Sequence, residues 1–475
     1  MVLAIPASAQ FKSIASFNLT NGADLEYGAL VQGRDGNYYG TTAGGGGNGY
    51  GNVFKVTPGG AITPIYSFCS LTNCADGANP AAGLVLGPDG NFYGTTPLGG
   101  DSNGCGFPYG CGTVFKVTPS GVLTTLYTFE VTSPGDGPVG GLVLGNDGNF
   151  YGTTGSEGGD GTIFKITPKG VLTALHYFGG PDGLYPFGGL TLGTDGNFYG
   201  TTEAGGTSVA CNNGCGTVFK MTPAGKLTTL HSFNLTDGAT LIGGLVQASD
   251  GNFYGTTATG GANQFPGCGQ AFNLGCGTVF QISPQGSFTT IYNFCAQLNC
   301  ADGMSPYGTL VQGSDGNFYG TTYLGGVNIN SCEFACGTVF EINTAGALNT
   351  LHAFDGVDGS YPWAGLLLST RGKLYGTTYS GGTGALGTIF AESVGLSPFV
   401  QLVTVRGKVG ATIEILGQGF TSSTTVSFNG TPATSVAKSG TFLTTVVPSG
   451  ATSGPVSVTT GAVTLQSNKT FRVIP

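Results

Sequence analysis

Apolar positions along this chain come in short bursts. Segments such as GGLVLG at Gly140, NFYGTT at Asn91, GTVFKVTP at Gly112 and VLTTLYTF at Val122 concentrate Val, Ile, Leu, Thr, Tyr and Phe between Gly, Asp, Asn and Pro. This pattern predicts short strands ended by turns, and no segment carries the 3.6-residue apolar period of an amphipathic helix. An Asp-Gly pair between the first and second pieces predicts a tight hairpin, and Thr-Pro-x-Gly joins the third to the fourth. The unit is therefore four strands.

The unit recurs seven times. DGNFYGTT begins at Asp89, Asp147, Asp195, Asp250 and Asp315, with DGNYYGTT at Asp35 and a worn copy, RGKLYGTT, at Arg371. The repeat tyrosines, from Tyr39 to Tyr375, are spaced by about 56 residues on average, a period that fits four-stranded propeller blades. The array opens with FKSIASF at Phe11, a fourth strand with no blade before it, and its last copy has a third strand, GTIFAES at Gly387, but no fourth. Phe11–Phe17 is therefore expected to complete the last blade and close a seven-bladed β-propeller, removing the exposed sheet edges. The octapeptide itself reads as scaffold, since the seventh copy has Arg371 for Asp and Lys373 for Asn yet keeps Tyr375-Gly376-Thr377-Thr378.

GLVLGPDGNFYGTT, and its equivalents over roughly residues 11–393, resembles the bacterial tandem repeat called GloVer. The resemblance implies an extracellular protein with no assigned enzymatic activity, often with a C-terminal surface anchor. This chain ends in FRVIP, without a sorting motif or terminal hydrophobic helix, which leaves attachment open. After Val394 the repeat stops. Gly417–Phe420, Phe428-Asn429-Gly430 and Val447-Pro448 are similar to an IPT/TIG domain, an immunoglobulin-like β-sandwich, and alternating short strands support a sandwich independently. The expected division is 1–9 as the remnant of a signal peptide, 10–394 as propeller and 395–475 as sandwich, all-β throughout.

Composition narrows the function. The chain has 475 residues, 90 of them glycine, with 40% hydrophobic and 8% charged. That is too apolar for a disordered low-complexity chain. The net charge of −9 and the absence of a basic run exclude the footprint of a nucleic-acid binder. No apolar run approaches the ~20 residues of a membrane span. A monomer is expected.

The twelve cysteines fall into close pairs: Cys69/Cys74, Cys105/Cys111, Cys211/Cys215, Cys268/Cys276, Cys295/Cys300 and Cys332/Cys336. Even, local pairing predicts disulfides and an oxidising compartment; metal binding is the rival reading. The histidines do not favour metal, because His176, His231 and His352 stand where other copies carry Tyr66, Tyr127 and Tyr292. Ala7-Ser8-Ala9 before Gln10 fits a signal-peptidase site, with the true start of the leader further upstream. Secretion or display at the cell surface follows.

Candidate function sits on one face. Strand alternation puts the tight turns on one face, and the second-to-third and fourth-to-first loops on the other. The four longest second-to-third loops each hold one cysteine pair, and the two remaining pairs lie in fourth-to-first loops of the same face. The pairs are expected to staple floppy loops. Stapled, variable loops are where binding usually lives, although protease resistance would explain the staples equally. The position just before the innermost strand varies: Tyr27, Ala81, Val139, Phe187, Ile242, Tyr307 and Trp363 in blade order. Ring closure would join Tyr307, Trp363 and Tyr27 into an aromatic arc suited to sugar rings or apolar ligands, which Phe107 and Tyr109 could extend; inter-blade packing is the alternative. Asp76, Asp136, Asp182, Asp237, Asp302 and Asp358 recur in the fourth-to-first loops and could bind calcium, or simply form Asp-Gly turns.

Three functions remain. The first is a non-catalytic binding scaffold for polysaccharide or a protein partner, with no cofactor. The second is a glycan hydrolase or lyase, which needs an acid/base pair; only isolated loop carboxylates, Glu130, Glu157, Glu203 and Glu333, are available for one. The third is a purely structural envelope protein.

Overall fold

The computed structural model describes residues 10–474 except 101–104, 106–109, 131–134, 136, 156–159, 266–267, 269–273 and 329–331. Phe107, Tyr109, Asp136 and Glu157 lie outside the described residues. The chain is all-β. Its helical content among the described residues is two three-residue 3-10 turns, Thr72–Cys74 and Leu298–Cys300. No helix among these residues is long and apolar enough to cross a membrane.

The repeat region folds as successive four-stranded antiparallel sheets. The first is Val31–Gln32, Tyr38–Thr42, Asn52–Val56 and Ile62–Ser67, each strand bonded to the next in sequence. Five more sheets repeat this order. In the last, Leu367–Leu368, Leu374–Thr378 and Thr388–Ser393 are completed by Gln10–Ser16 from the other end of the array. Gln10 lies opposite Ser393 and Ser16 opposite Thr388, as the lone N-terminal strand predicts.

The octapeptide builds each sheet and joins it to the next. In DGNFYGTT the Asp89 carboxylate accepts hydrogen bonds from the Asn91 amide (3.1 Å), the Asn91 side chain (2.7 Å) and the Tyr93 hydroxyl (2.9 Å). Gly90 sits at φ 81°, in the left-handed region its turn requires. A Cβ on Gly94 would meet the Phe115 ring at 2.6 Å, so only glycine admits the neighbouring strand. Thr96 pins the third strand by accepting the Thr113 amide at 3.1 Å. Phe92 stacks at 4.1 Å on Tyr39 of the preceding sheet, while Tyr93 stacks at 4.0 Å on Phe150 of the following one. The same stack recurs as Tyr151–Phe198, Tyr199–Phe253 and Tyr254–Phe318, and Tyr319 packs in one buried cluster with Leu374. Tyr375 meets Tyr38 at 4.4 Å, which closes the ring. The octapeptide is thus a scaffold part, and each aromatic pair adds roughly 0.5–1.5 kcal/mol beyond simple burial.

The sandwich packs two sheets face to face. One orders Gln401–Leu402, Thr412–Leu416, Phe442–Val446 and Ser435–Ser439; the other orders Thr431–Ala433, Thr425–Phe428, Val456–Thr460 and Val463–Gln466. Phe420, Phe428 and Val447 from the motif residues join its buried core with Ile413, Leu443 and Phe471. The sandwich docks on the tight-turn face of the ring. The Arg34 guanidinium bonds both Glu414 oxygens at 2.5 and 2.6 Å and lies 4.7 Å over the Phe442 ring. Thr441 donates to the Arg34 carbonyl at 2.7 Å, and Arg472 to the Thr194 carbonyl at 3.0 Å. Residues 401–406, with Asn468 and Lys469, line the lower end of the central channel.

Candidate ligand-binding site

The channel opens on the loop-rich face in a cavity of about 410 Å³ lined from every blade. Tyr27, Val139, Phe187, Ile242, Tyr307 and Trp363 all line it; Ala81 is buried, and in its blade Ala82 lines the cavity instead. The expected arc forms. Trp363 meets Tyr27 edge-on at 5.2 Å and Tyr307 at 5.6 Å. Phe187 lies apart, stacked with Tyr185 at 6.3 Å.

The arc is wider than its sequence position implied. The residue after each Thr-Thr also varies between blades: Ala43, Pro97, Gly155, Glu203, Ala258, Tyr323 and Tyr379. Tyr323 lies 5.4 Å and Tyr379 5.5 Å from Trp363, and Tyr323 continues to Tyr361 at 5.1 Å. These residues are brought to the mouth by a short backbone bridge. The Tyr323 amide donates to Ser305, Tyr379 to Tyr361 and Glu203 to Tyr185, each at 3.0 Å. Comparing the residues that follow the repeated Thr-Thr would have revealed this second ring.

Glu26 was also missed, because blade one is one residue longer here. In blade six the left-handed residue Ser305 is followed by Pro306 and Tyr307, and in blade seven Tyr361 by Pro362 and Trp363. In blade one the left-handed Asp24 is followed by Leu25, Glu26 and then Tyr27. Counted from the loop, Glu26 holds the variable position; counted from the strand, Tyr27 does. Thr41, Thr201, Thr256 and Thr321 each donate to a mouth carbonyl of the next blade, whereas the equivalent Thr153 and Thr377 hydroxyls have no partner among the described residues.

Burial, and then the nearby Asp24, push the Glu26 carboxyl up to about 7. Burial also raises Glu203 above the usual carboxylate range. Glu203 belongs to blade four, yet its charge helps raise the hydroxyls of both Tyr27 and Tyr307, after burial as the main cause. It stands after the Thr-Thr of its blade, where Tyr323 and Tyr379 stand in blades six and seven. Glu130 and Glu333 are exposed on the same face. The indole N–H of Trp363 is buried and has no acceptor among the described residues.

The fourth-to-first loop aspartates have structural partners. Asp76 accepts the Tyr66 hydroxyl at 2.7 Å and the amides of Ser70 and Leu71; Asp302 does the same for Tyr292, Ala296 and Gln297. Asp182, Asp237 and Asp358 pair instead with His176, His231 and His352 at 2.7–2.9 Å. Tyr and His interchange at this strand position because both can bond the loop carboxylate.

All six cysteine pairs are disulfides as expected, with no free cysteine: Cys69–Cys74, Cys105–Cys111, Cys211–Cys215, Cys268–Cys276, Cys295–Cys300 and Cys332–Cys336. Each closes a short local loop, as expected of a staple, and each has a buried half. Cys111, Cys215, Cys276 and Cys336 are buried, as are Cys74, Cys268 and Cys300. Cys111 packs in the core cluster of Tyr93, Phe129 and Phe150, Cys215 in that of Tyr199 and Phe253, and Cys336 in that of Tyr319 and Leu374. The physical reason is their register. Cys111, Cys215, Cys276 and Cys336 each stand two residues before the third strand, where the chain has already turned inward between blades. Their carbonyls accept the amides of Gly137, Thr240, Ser305 and Tyr361 from the following fourth-to-first loop. One half of each of these bonds is therefore core, an anchor that ties its loop to the inter-blade packing. In blade five Cys268–Cys276 and Cys295–Cys300 come together, with the four sulfurs within 4.8 Å of one another.

A family model described as the Gloeobacter/Verrucomicrobia repeat matches residues 2–212, 105–276 and 267–415. The chain belongs to the Gloeobacter/Verrucomicrobia repeat family. An IPT/TIG model matches residues 398–473 of this family member, which is the sandwich. Repeat array, IPT/TIG module and disulfides together describe a binding or scaffold protein of a non-cytoplasmic compartment. The search of curated proteins returned no match. Among solved structures, the chain is similar to a fungal alcohol oxidase of the AA5 family in complex with copper (TM-score 0.48, 13% identity, 99% of this chain and 100% of that one). It is also similar to a luciferin-regenerating enzyme (TM-score 0.37, 12% identity, 65% of this chain and 89% of that one). At these values neither likeness bears on activity.

Proposed function

We propose that this repeat protein is a secreted or surface-displayed, non-catalytic binding protein that takes a saccharide at its channel mouth. One observation carries the reading: in a ring whose blades otherwise repeat, the aromatic residues at the variable mouth positions concentrate on blades six, seven and one, against an open cavity. Tyrosine and tryptophan faces stack on sugar rings, and loops anchored in the core hold such a surface in shape. The test is a titration of the purified chain with neutral and charged oligosaccharides, followed through Trp363, its one tryptophan. A saturable change lost in Tyr307→Ala supports the reading; a flat response across the panel removes it.

The near-neutral Glu26 favours a second reading, a glycan-active enzyme with Glu26 as general acid. Release of reducing ends or unsaturated products, abolished by Glu26→Gln, would replace the first reading with this one.

A further inference from the structure

Charge at the mouth is one-sided. None of the second-to-third or fourth-to-first loops contains a lysine or arginine. The 15 basic residues of the chain lie in strands, in the tight turns of the opposite face, or in the sandwich. The carboxylates nearest the aromatic arc, Asp24 and Glu26 beside Tyr27 in the chain and Glu203 at the position that Tyr323 and Tyr379 hold in their blades, have no lysine or arginine in their loops, and none of them forms a salt bridge among the described residues. Three of the rings, Tyr27, Tyr307 and Trp363, line the cavity and are only partly buried.

Aromatic faces and carboxylates without a basic neighbour share one preference. A ring presents its negative π-face to a cation, worth roughly 0.5–2 kcal/mol for each well-placed contact as water is excluded. A partly buried carboxylate lacks a counter-charge until a cation arrives, and it repels an anion at every distance within the Debye length of about 8 Å. A neutral sugar would use the rings and leave the carboxylates unpaired. A uronic acid or sulfated sugar would be repelled.

We propose that the ligand of this mouth carries an ammonium group, and, resting on the saccharide reading above, that it is an amino sugar with a free amine. The ring of such a sugar stacks on the Trp363–Tyr307 wall. Its ammonium lies between Glu203, reaching in from blade four, and Glu26 on the longer rim of blade one.

The test compares β-1,4-linked hexamers of glucosamine, N-acetylglucosamine and glucose on the full chain, with hexalysine as a fourth probe, by Trp363 fluorescence and calorimetry. The three sugars share linkage and ring and differ at C2. The glucosamine hexamer should bind at least ten-fold more tightly than either neutral hexamer. That preference should shrink in 0.5 M salt and collapse in Glu203→Gln and Glu26→Gln, while Tyr307→Ala weakens binding of all. Equal binding of the three sugars would overturn the ammonium inference and leave the saccharide reading standing. Hexalysine binding with no sugar binding would keep the ammonium and overturn the amino sugar. Silence from all four probes would overturn both.

Discussion

Tyr27 meets Trp363 edge to face at 5.2 Å, although the two come from opposite ends of the repeat array. Ring closure alone brings them together. Replacing Tyr27 by Ala should therefore cost roughly 1 kcal/mol of stability, the worth of one aromatic pair. It should also shift the emission of Trp363 to longer wavelength as water reaches the indole. Unchanged emission would place the indole in a different environment.

The Asp–Tyr clasp of the octapeptide makes a second prediction. Tyr93→Phe keeps the inter-blade stack on Phe150 and deletes the 2.9 Å bond to Asp89. The expected loss is about 1.5 kcal/mol, the range for a hydrogen bond to a charged acceptor. Tyr375→Phe should cost less, because that copy has Arg371 in place of the acceptor. Denaturant midpoints of the two variants give the comparison.

Glu392 is fully buried in the closing sheet, opposite Phe11, and forms no ion pair among the described residues. The other blades carry Val56, Val117, Ile166, Met221, Ile282 and Ile342 at this register position. Burial pushes its carboxyl up to about 7. A carboxyl raised in the folded state favours folding below the unfolded value near 4.5, and that advantage is lost as pH rises through about 7. The protein should lose stability over that window, by up to about 3 kcal/mol from this group, and Glu392→Val should flatten the loss. Melting temperatures of both proteins from pH 4 to 8 check it; parallel curves would count against it.

Arg34 ties the ring to the sandwich through Glu414 and Phe442. Arg34→Ala leaves a half-buried carboxylate without its partner, at a cost of roughly 2 kcal/mol, below that of a fully buried pair because water still reaches both groups. The two domains should then melt in two calorimetric transitions instead of one.

The described aspartates of the fourth-to-first loops, Asp76, Asp182, Asp237, Asp302 and Asp358, accept bonds from Tyr, His and backbone donors. Removing divalent cations with EDTA should leave the melting temperature unchanged. Asp302→Asn should lower it, since a buried carboxylate that receives three donors is replaced by a weaker acceptor.

Strand order and closure by Gln10–Ser16 were legible in the sequence, because each rests on a repeated local pattern of Asp-Gly turns and alternating apolar residues; cysteines a few residues apart made local pairing the most economical choice without fixing the connectivity. The burial of Cys111, Cys215 and Cys336 was not, since loop length says nothing of where a chain turns back into the core. The arc of Tyr27, Tyr307 and Trp363 was legible once closure was inferred. Glu26, Tyr323 and Tyr379 were not. They reach the mouth through the left-handed turn at Asp24 and through backbone bridges between loops, where the one-residue insertion breaks the register on which repeat comparison depends. The buried Glu392 escaped for the opposite reason: it occupies a regular strand position, and only the packing around it shows that it is buried.

The sandwich segment 401–406 lines the lower end of the channel, and on the saccharide proposal this placement bears on how a long molecule would meet the protein. A passage open at both ends lets a polymer thread and slide. A passage obstructed below is a thimble: only a chain end or a side branch can enter, and it must leave by the way it came. Recognition would then count free termini rather than chain length, and shearing a polymer into shorter pieces would create binding sites.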